Sequence, residues 1–170
     1  MIISCNSENH IRTYRLPKKA KGAPIQLDNK NDIYILKWEK PDSWEQFDGH
    51  AMRMASFYVP YSGGKGEVSI TEFSGMSGGI EANINRWRRQ ISLPPESIEN
   101  IMRSSSSYKG RMGAFIFFEL VNKKTNQAIL ASIFQLESRT VFIKLSIDQS
   151  GLDVVTSDFL LFSKSIFEQK

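Results

Sequence analysis

Cysteine and histidine are scarce in this sequence of 170 residues, and their scarcity limits the chemistry that the chain can perform. Cys5 is the only cysteine, so an intramolecular disulfide is excluded. His10 and His50 are the only histidines, and together with Cys5 they lack the spacing of a metal site. Asp48 lies near His50 in sequence, but no activated nucleophile accompanies the pair. We therefore predict no catalytic residue, no metal ligand and no cofactor, and we do not expect an enzyme.

Long apolar runs are also missing, since no stretch is long enough to span a bilayer. Hydrophobic residues make up 41% and charged residues 24%, which is ordinary for a globular protein of this length. The formal net charge is +4. The basic residues do not form the dense stripe, and the sequence does not contain the reader motif, of a dedicated nucleic-acid binder. We therefore predict no nucleic-acid partner.

The excess of positive charge is concentrated near the N-terminus. Residues 12–40 contain eight basic side chains and three acidic ones. Residues 6–31 are polar and show no sustained period, so we interpret them as a flexible arm that an anionic surface would attract. The eight basic residues are Arg12, Arg15, Lys18, Lys19, Lys21, Lys30, Lys37 and Lys40.

The first five residues resemble the end of a bacterial lipoprotein signal. Ile2-Ile3-Ser4-Cys5 has the short apolar stretch, small residue and cysteine of that motif, so Cys5 is the candidate lipidation site. The apolar region that normally precedes the motif is absent. Either the true start lies upstream and a lipid on Cys5 anchors the protein in the cell envelope, or Met1 is the true start and the protein is cytoplasmic. We predict a lipobox-like start with an arm over residues 1–31 and one domain over residues 32–170.

The alternation of apolar and polar residues predicts strands that are separated from helices along the chain. This segregation indicates an α+β fold with a mainly antiparallel sheet, and helices before and after the last three strands would cover opposite faces. We predict strands at residues 32–38, 52–59, 67–73, 112–121, 128–136 and 139–147, a loop at 104–110, and helices at 78–91, 94–103 and 152–168.

The predicted helix over residues 78–91 carries the main candidate site. Ile80, Ile84, Trp87 and Ile91 would form its buried stripe, because helical positions advance by about 100° per residue. Asn83, Arg86 and Gln90 would line one flank, whereas Asn85 and Arg89 would point to solvent. Such a flank could bind a planar carboxylate, amide or nucleobase, with Trp87 as a stacking platform. Alternatively, its polar side chains tie neighbouring loops together and Trp87 belongs to the core.

Two further features have a functional and a structural interpretation. The glycines before this helix, Gly75, Gly78 and Gly79, could hold an anion at the helix N-terminus or form a tight turn from strand to helix. An aromatic group could form a binding surface or plug one end of the sheet. The aromatic group consists of Trp38, Trp44, Phe47 and Tyr58.

Several spaced motifs over residues 33–167 resemble a group of uncharacterised bacterial proteins, many of them predicted secreted lipoproteins. The N-terminal motifs are Trp38-x-x-Pro41-x-x-Trp44, Met52-Arg53-x-Ala55-Ser56-Phe57 and Gly79-x-x-x-Asn83-x-Asn85-Arg86-Trp87-x-x-Gln90-Ile91. The C-terminal motifs are Ile129-Leu130-Ala131, Phe142-x-Lys144-Leu145 and Phe159-x-x-Phe162-x-x-Ser165. The Asn-x-Asn-Arg-Trp helix is the most specific of these elements.

At the level of fold, this group is similar to the photosystem II extrinsic protein PsbP, whose antiparallel sheet lies between helices. The resemblance implies an α/β/α sandwich and a noncatalytic accessory role, with a protein partner in the cell envelope and no catalytic residues to transfer. A small-ligand binder that uses Asn83, Arg86, Trp87 and Gln90 is the alternative.

Overall fold

The computed structural model describes residues 34–50, 52–76 and 78–169. Cys5, His10 and the arm over residues 1–31 lie outside these ranges, so the predictions made for them stay predictions. The strands are β1 Ile35–Lys37, β2 Glu45–Phe47, β3 Arg53–Tyr61, β4 Gly64–Ser74, β5 Ser106–Gly110, β6 Gly113–Asn122, β7 Gln127–Gln135, β8 Arg139–Asp148 and β9 Phe167–Gln169. The helices are α1 Gly79–Gln90, α2 Ile98–Arg103 and α3 Leu152–Ser165.

The strands form one large antiparallel sheet and one small ribbon. The large sheet has seven strands in the order β2-β3-β4-β8-β7-β6-β5, and the ribbon pairs β1 with β9. After β4 the chain forms α1 and α2, resumes at the far edge with β5, and returns by successive hairpins to place β8 beside β4. The predicted α+β fold with a mainly antiparallel sheet is confirmed.

The helices cover both faces of the sheet, as predicted. On one face, Ile84 and Trp87 of α1 and Ile101 of α2 pack on apolar side chains of β6, β7 and β8. On the other face, Phe159 and Phe162 of α3 pack on a cluster that extends across the sheet to β3. Complete burial of one such aromatic side chain stabilises the fold by about 1.5–3 kcal/mol. Among the described residues, no helix is both long and apolar enough to cross a membrane.

Three local predictions were wrong. Residues 106–110 form β5 rather than a loop, because Tyr108 packs against Phe115 and Phe117 of the neighbouring strand. The second helix begins at Ile98 rather than at the prolines, since a residue before proline disfavours the helical conformation and Ser97 caps the helix instead. The closing helix ends at Ser165, after which the chain turns extended and forms β9.

The β1–β9 ribbon is joined to the large sheet by a polar cluster. The guanidinium of Arg139 lies 3.6 Å over the ring of Tyr34 and pairs with Glu168 of β9. The hydroxyl of Tyr34 donates a hydrogen bond to Glu72 Oε1 at 2.6 Å. Burial and this hydrogen bond to a carboxylate raise the pKa of Tyr34 to about 12.

Candidate functional site

The first turn of α1 is built on glycine backbone and an asparagine side chain. The φ angles are +80° at Gly78 and +73° at Gly79, a region that favours glycine over other residues. Asn83, which is only 4% exposed, donates from Nδ2 to the carbonyl oxygen of Gly79 at 2.7 Å. Arg86 in turn donates from Nη1 to Asn83 Oδ1 at 3.1 Å. Two of the three flank residues therefore bond to each other and to the turn that starts the helix.

Trp87 belongs to the core rather than to an open stacking surface. Its side chain is 7% exposed, and its ring meets that of Phe142 edge-on, with centroids 5.9 Å apart. Gln90, the third flank residue, lies at the other end of α1. Its Oε1 accepts a hydrogen bond from Lys144 Nζ of β8 at 2.8 Å. The flank is thus divided, and its C-terminal residue Gln90 is bonded to the sheet.

Two polar residues of α1 hold the connection to α2, and sequence reasoning missed both. Asn85 was expected to point to solvent, but it donates to the backbone oxygen of Glu96 at 2.8 Å and accepts from the backbone nitrogen of Glu96 at 2.9 Å. Arg88 donates to the carbonyl of Pro94 at 2.7 Å and pairs with Glu96 Oε1 at 2.7 Å. The specific Asn-x-Asn-Arg-Trp motif therefore contributes chiefly to local structure.

The sheet face under α1 is apolar on one side and polar on the other. Ser56, Ser69 and Lys144 lie directly opposite one another on β3, β4 and β8, and the same row continues to Ala131 and Phe118. The part of this face on β6 and β7 is apolar and covered by α1 and α2. We call the part on β2, β3, β4 and the Lys144 position of β8 the polar half.

Two charged side chains of the polar half, Arg53 and Glu67, act electrostatically on Lys144. Arg53 pairs with Glu67 Oε1 at 2.5 Å and donates to Ser56 Oγ at 3.3 Å. Burial lowers the pKa of Lys144, and the nearby Arg53 charge lowers it further, whereas Glu67 opposes the shift. Sequence alternation placed Lys144 on the same face as Phe142, but the pairing of β8 with β4 was needed to bring it near Arg53 and Glu67.

A cleft of about 870 Å³ opens at the other side of the sheet, along the end of β6. β5 pairs only with residues 113–117 of β6, so residues 118–122 have no strand neighbour on that side among the residues described. The connection between α1 and α2 forms one wall and the start of α3 the other. The lining residues are Arg88, Leu93, Glu96, Ser104, Glu119, Leu120, Val121, Lys123, Gln149, Leu152, Asp153 and Thr156.

The aromatic group divides between core and surface. Trp44 is 2% exposed, with its ring centroid 4.9 Å from that of Phe162, and Trp38 meets Phe57 edge-on. Phe47 and Tyr58 instead stack on the polar half with ring centroids 4.0 Å apart. Trp44 is therefore buried in the core, as the structural interpretation predicts, and Trp38 packs against the same core while partly exposed. Phe47 and Tyr58 are also partly exposed.

We see no cluster of reactive side chains among the described residues. His50 is exposed, and its backbone oxygen accepts from the backbone nitrogen of Arg53 at 3.2 Å. Within the ranges that the structure covers, no group of three His, Cys, Asp or Glu side chains is placed to hold a metal ion.

Comparisons with known proteins yield similar structures but no similar sequences. No protein-family model matches the chain, and no curated protein sequence matches it. A crystal structure from Bacteroides thetaiotaomicron VPI-5482, at 1.50 Å resolution, superposes on 79% of the chain with a TM-score of 0.51 and 14% identity. The matched region spans 45% of that protein, so the chain covers less than half of its length.

Two further structures are similar at lower scores. The solution structure of cyanobacterial PsbP from Synechocystis sp. PCC 6803 matches 86% of this chain and 100% of its own, with a TM-score of 0.49 and 13% identity. LpqN, described as involved in cell envelope biogenesis of Mycobacterium tuberculosis, matches 84% of this chain and 88% of its own, with a TM-score of 0.47 and 4% identity. PsbP is thus among the similar structures, as the sequence resemblance implied, and the similarity concerns the fold alone.

Proposed function

We propose that this protein is a noncatalytic accessory module of the cell envelope that binds a partner protein. The lipobox-like Ile2-Ile3-Ser4-Cys5 supports a lipid anchor on Cys5, and the basic arm supports attraction to an anionic membrane surface. Lipidation and a basic segment together give firmer membrane attachment than a single acyl chain.

The observation that carries the proposal is the open edge of β6 at the floor of the cleft. On the side away from β7, residues 118–122 have no strand neighbour among the described residues. An extended segment of a partner can add to such an edge as a further strand, with backbone hydrogen bonds supplying affinity and the walls supplying specificity. Partner binding by strand addition requires no catalytic group.

A noncatalytic role also fits the use of polar side chains on α1. Asn83, Asn85 and Arg88 bond to backbone atoms of the same chain, and Arg86 bonds to Asn83. Side chains committed to such bonds support the fold and are less free to act on a substrate. We accordingly propose no enzymatic activity for this chain.

Crosslinking in the native envelope tests the partner surface. A photoreactive amino acid at Glu119, an exposed position in the cleft, should yield one dominant protein adduct. The same group at Glu137, exposed in the turn between β7 and β8, is the matched control and should yield none. Equal adducts at both positions, or none at Glu119, would contradict docking in the cleft.

Fatty-acid labelling tests the anchor separately. The gene should be expressed with its native upstream DNA, and the wild type should incorporate label and fractionate with membranes. Cys5→Ala should lose both properties. An unlabelled wild type in the soluble fraction would end the anchor proposal without affecting the cleft.

A second candidate function is small-ligand binding beside the flank of α1. The contact between Gln90 and Lys144 favours it, because this contact joins the C-terminal end of the flank to the polar half of the sheet. The predicted ligand residues Asn83, Arg86 and Trp87 would then shape the helix, whereas Gln90 would face the ligand.

A further inference from the structure

The Lys144 ammonium is a partly buried cation of the polar half. Its side chain lies on the face that α1 borders, where a charged group loses much of its hydration. An ammonium has three N–H donors, and the acceptor described for this one is the neutral amide oxygen of Gln90. The ammonium therefore has unused donor capacity and no carboxylate in direct contact among the described residues.

The carboxylate that acts electrostatically on Lys144 is already paired with another cation. Glu67 of β4 lies opposite Ser146 of β8, and its Oε1 pairs with Arg53 at 2.5 Å. Arg53 and Lys144 thus bring two positive charges to this region and Glu67 brings one negative charge. Lys65 and Glu45 lie farther along the same face, beside Tyr58, where their charges offset each other.

Arg53 and Lys144 lie on the two strands that flank β4. Arg53 of β3 is opposite Thr71, whereas Lys144 of β8 is opposite Ser69, and Arg53 Nη1 reaches Ser56 Oγ in the row of Lys144 at 3.3 Å. The guanidinium of Arg53 and the position of Lys144 therefore flank Ser69 in this row. Ser69, which pairs with both Ser56 and Lys144, occupies the position between them with a small polar side chain that is 7% exposed.

We propose that the polar half binds a small oxyanion, a carboxylate or phosphate group, between Lys144 and Arg53. The proposal rests on the second candidate function and names its ligand class. The oxyanion would accept from the Lys144 ammonium and from the guanidinium of Arg53, which retains donors beyond those used for Glu67 and Ser56. An oxyanion adds Coulomb attraction to these hydrogen bonds, so it is preferred over an uncharged ligand.

Calorimetric titration with inorganic phosphate tests the assignment, with chloride at equal ionic strength as the reference. The wild type should show saturable binding. Lys144→Met, which keeps much of the chain length and removes the charge, should weaken binding by about tenfold or more. Lys124→Met removes an exposed lysine from the turn between β6 and β7 and should leave the affinity unchanged. No saturable binding by the wild type, or equal binding by Lys144→Met, would overturn the proposal.

A second variant keeps the test decisive if Lys144→Met folds poorly. Gln90→Glu changes an exposed side chain and places a carboxylate beside the ammonium, so it should compete with phosphate and also weaken binding by about tenfold or more. Unchanged phosphate affinity in a folded Gln90→Glu protein would contradict a site at Lys144.

The same variants separate this proposal from the second candidate function, on which it rests, and from partner binding in the cleft. If phosphate raises the melting temperature equally in the wild type and in Lys144→Met, ligand binding stands and the assignment of the oxyanion to Lys144 fails. Crosslinking from Glu119 should be unaffected by Lys144→Met, because the cleft along β6 lies beyond β7 from Lys144.

Discussion

The two halves of the sheet face under α1 have the same backbone architecture and different chemistry. On β6 and β7, inward side chains such as Phe118, Ala131 and Ile133 are apolar, and α1 and α2 cover them. On β3, β4 and β8, the same row of the sheet carries Ser56, Ser69 and Lys144. The helices α1 and α2 bury the apolar half, and the polar half is left to make polar contacts. One sheet face therefore supplies part of the core and a candidate binding surface.

The largest effect is expected from a comparison of Phe118 and Ser69, which lie in the same row of the sheet. Phe118→Ala should lower the free energy of unfolding by about 3–5 kcal/mol, because it removes a ring that is 1% exposed and leaves a cavity under α1. Ser69→Ala should change it by less than about 1 kcal/mol, since the polar half depends little on apolar packing. Urea unfolding measures both values. Similar losses for the two variants would remove the distinction between the halves.

A smaller effect tests whether the motif of α1 supports the covered half. Asn85→Ala should cost about 1–3 kcal/mol, because the backbone N–H and C=O of Glu96 lose their partners together. Arg89→Ala, at an exposed position of the same helix, is the control and should change stability by less than about 0.5 kcal/mol. The same denaturation assay applies, and a silent Asn85→Ala would show that these bonds do not hold the connection.

The pH dependence of stability tests whether the surroundings of Lys144 in the polar half lower its pKa. Because burial lowers the pKa of Lys144 below the ordinary value of 10.5, the unfolded chain retains this proton to higher pH than the folded one. Stability should therefore rise as pH increases through the lowered pKa towards 10.5. This component should be absent in Lys144→Met when the two proteins are unfolded in urea across that range. Identical pH profiles would show that Lys144 is not perturbed by its surroundings.

The smallest effect is expected at Tyr34, a polar group that, unlike Lys144, bonds directly to a carboxylate. Tyr34 donates to Glu72, and its pKa is raised to about 12, so its stabilising contribution is complete below pH 10 and disappears as pH rises towards 12. Absorbance titration of tyrosine ionisation should show one late-titrating component that Tyr34→Phe removes. Loss of an earlier component instead would contradict the assignment.

Local patterns predicted most of the fold. Alternation along residues 139–147 and the helical spacing of Val155, Phe159 and Phe162 depend on neighbours in the chain, and they correctly indicated a strand and a buried helix face. β5 was missed because its Ser-Ser-Tyr-Lys-Gly sequence has little apolar alternation, and its pairing depends on phenylalanines of β6. The pairing of β1 with β9 joins opposite ends of the described chain, which no local pattern encodes.

The candidate site was less accessible to sequence reasoning for the same physical reason. The helical period placed Asn83, Arg86 and Gln90 on one flank, but it could not indicate that Asn83 bonds the first turn while Gln90 meets Lys144. The charged neighbours of Lys144, Arg53 and Glu67, come from β3 and β4, more than 70 residues away, through the register of two strand pairs. Likewise, the cleft exists because β5 is shorter than β6, a difference that appears only when the strands are paired.

An NMR titration with inorganic phosphate tests whether the polar half of the sheet face binds an oxyanion while the apolar half is structural. Saturable backbone amide shifts should be confined to β3, β4, β8 and the C-terminal end of α1, with β6 and α2 unaffected. Shifts centred on β6 and α2, or an unchanged spectrum at saturating phosphate, would contradict this distinction between the halves.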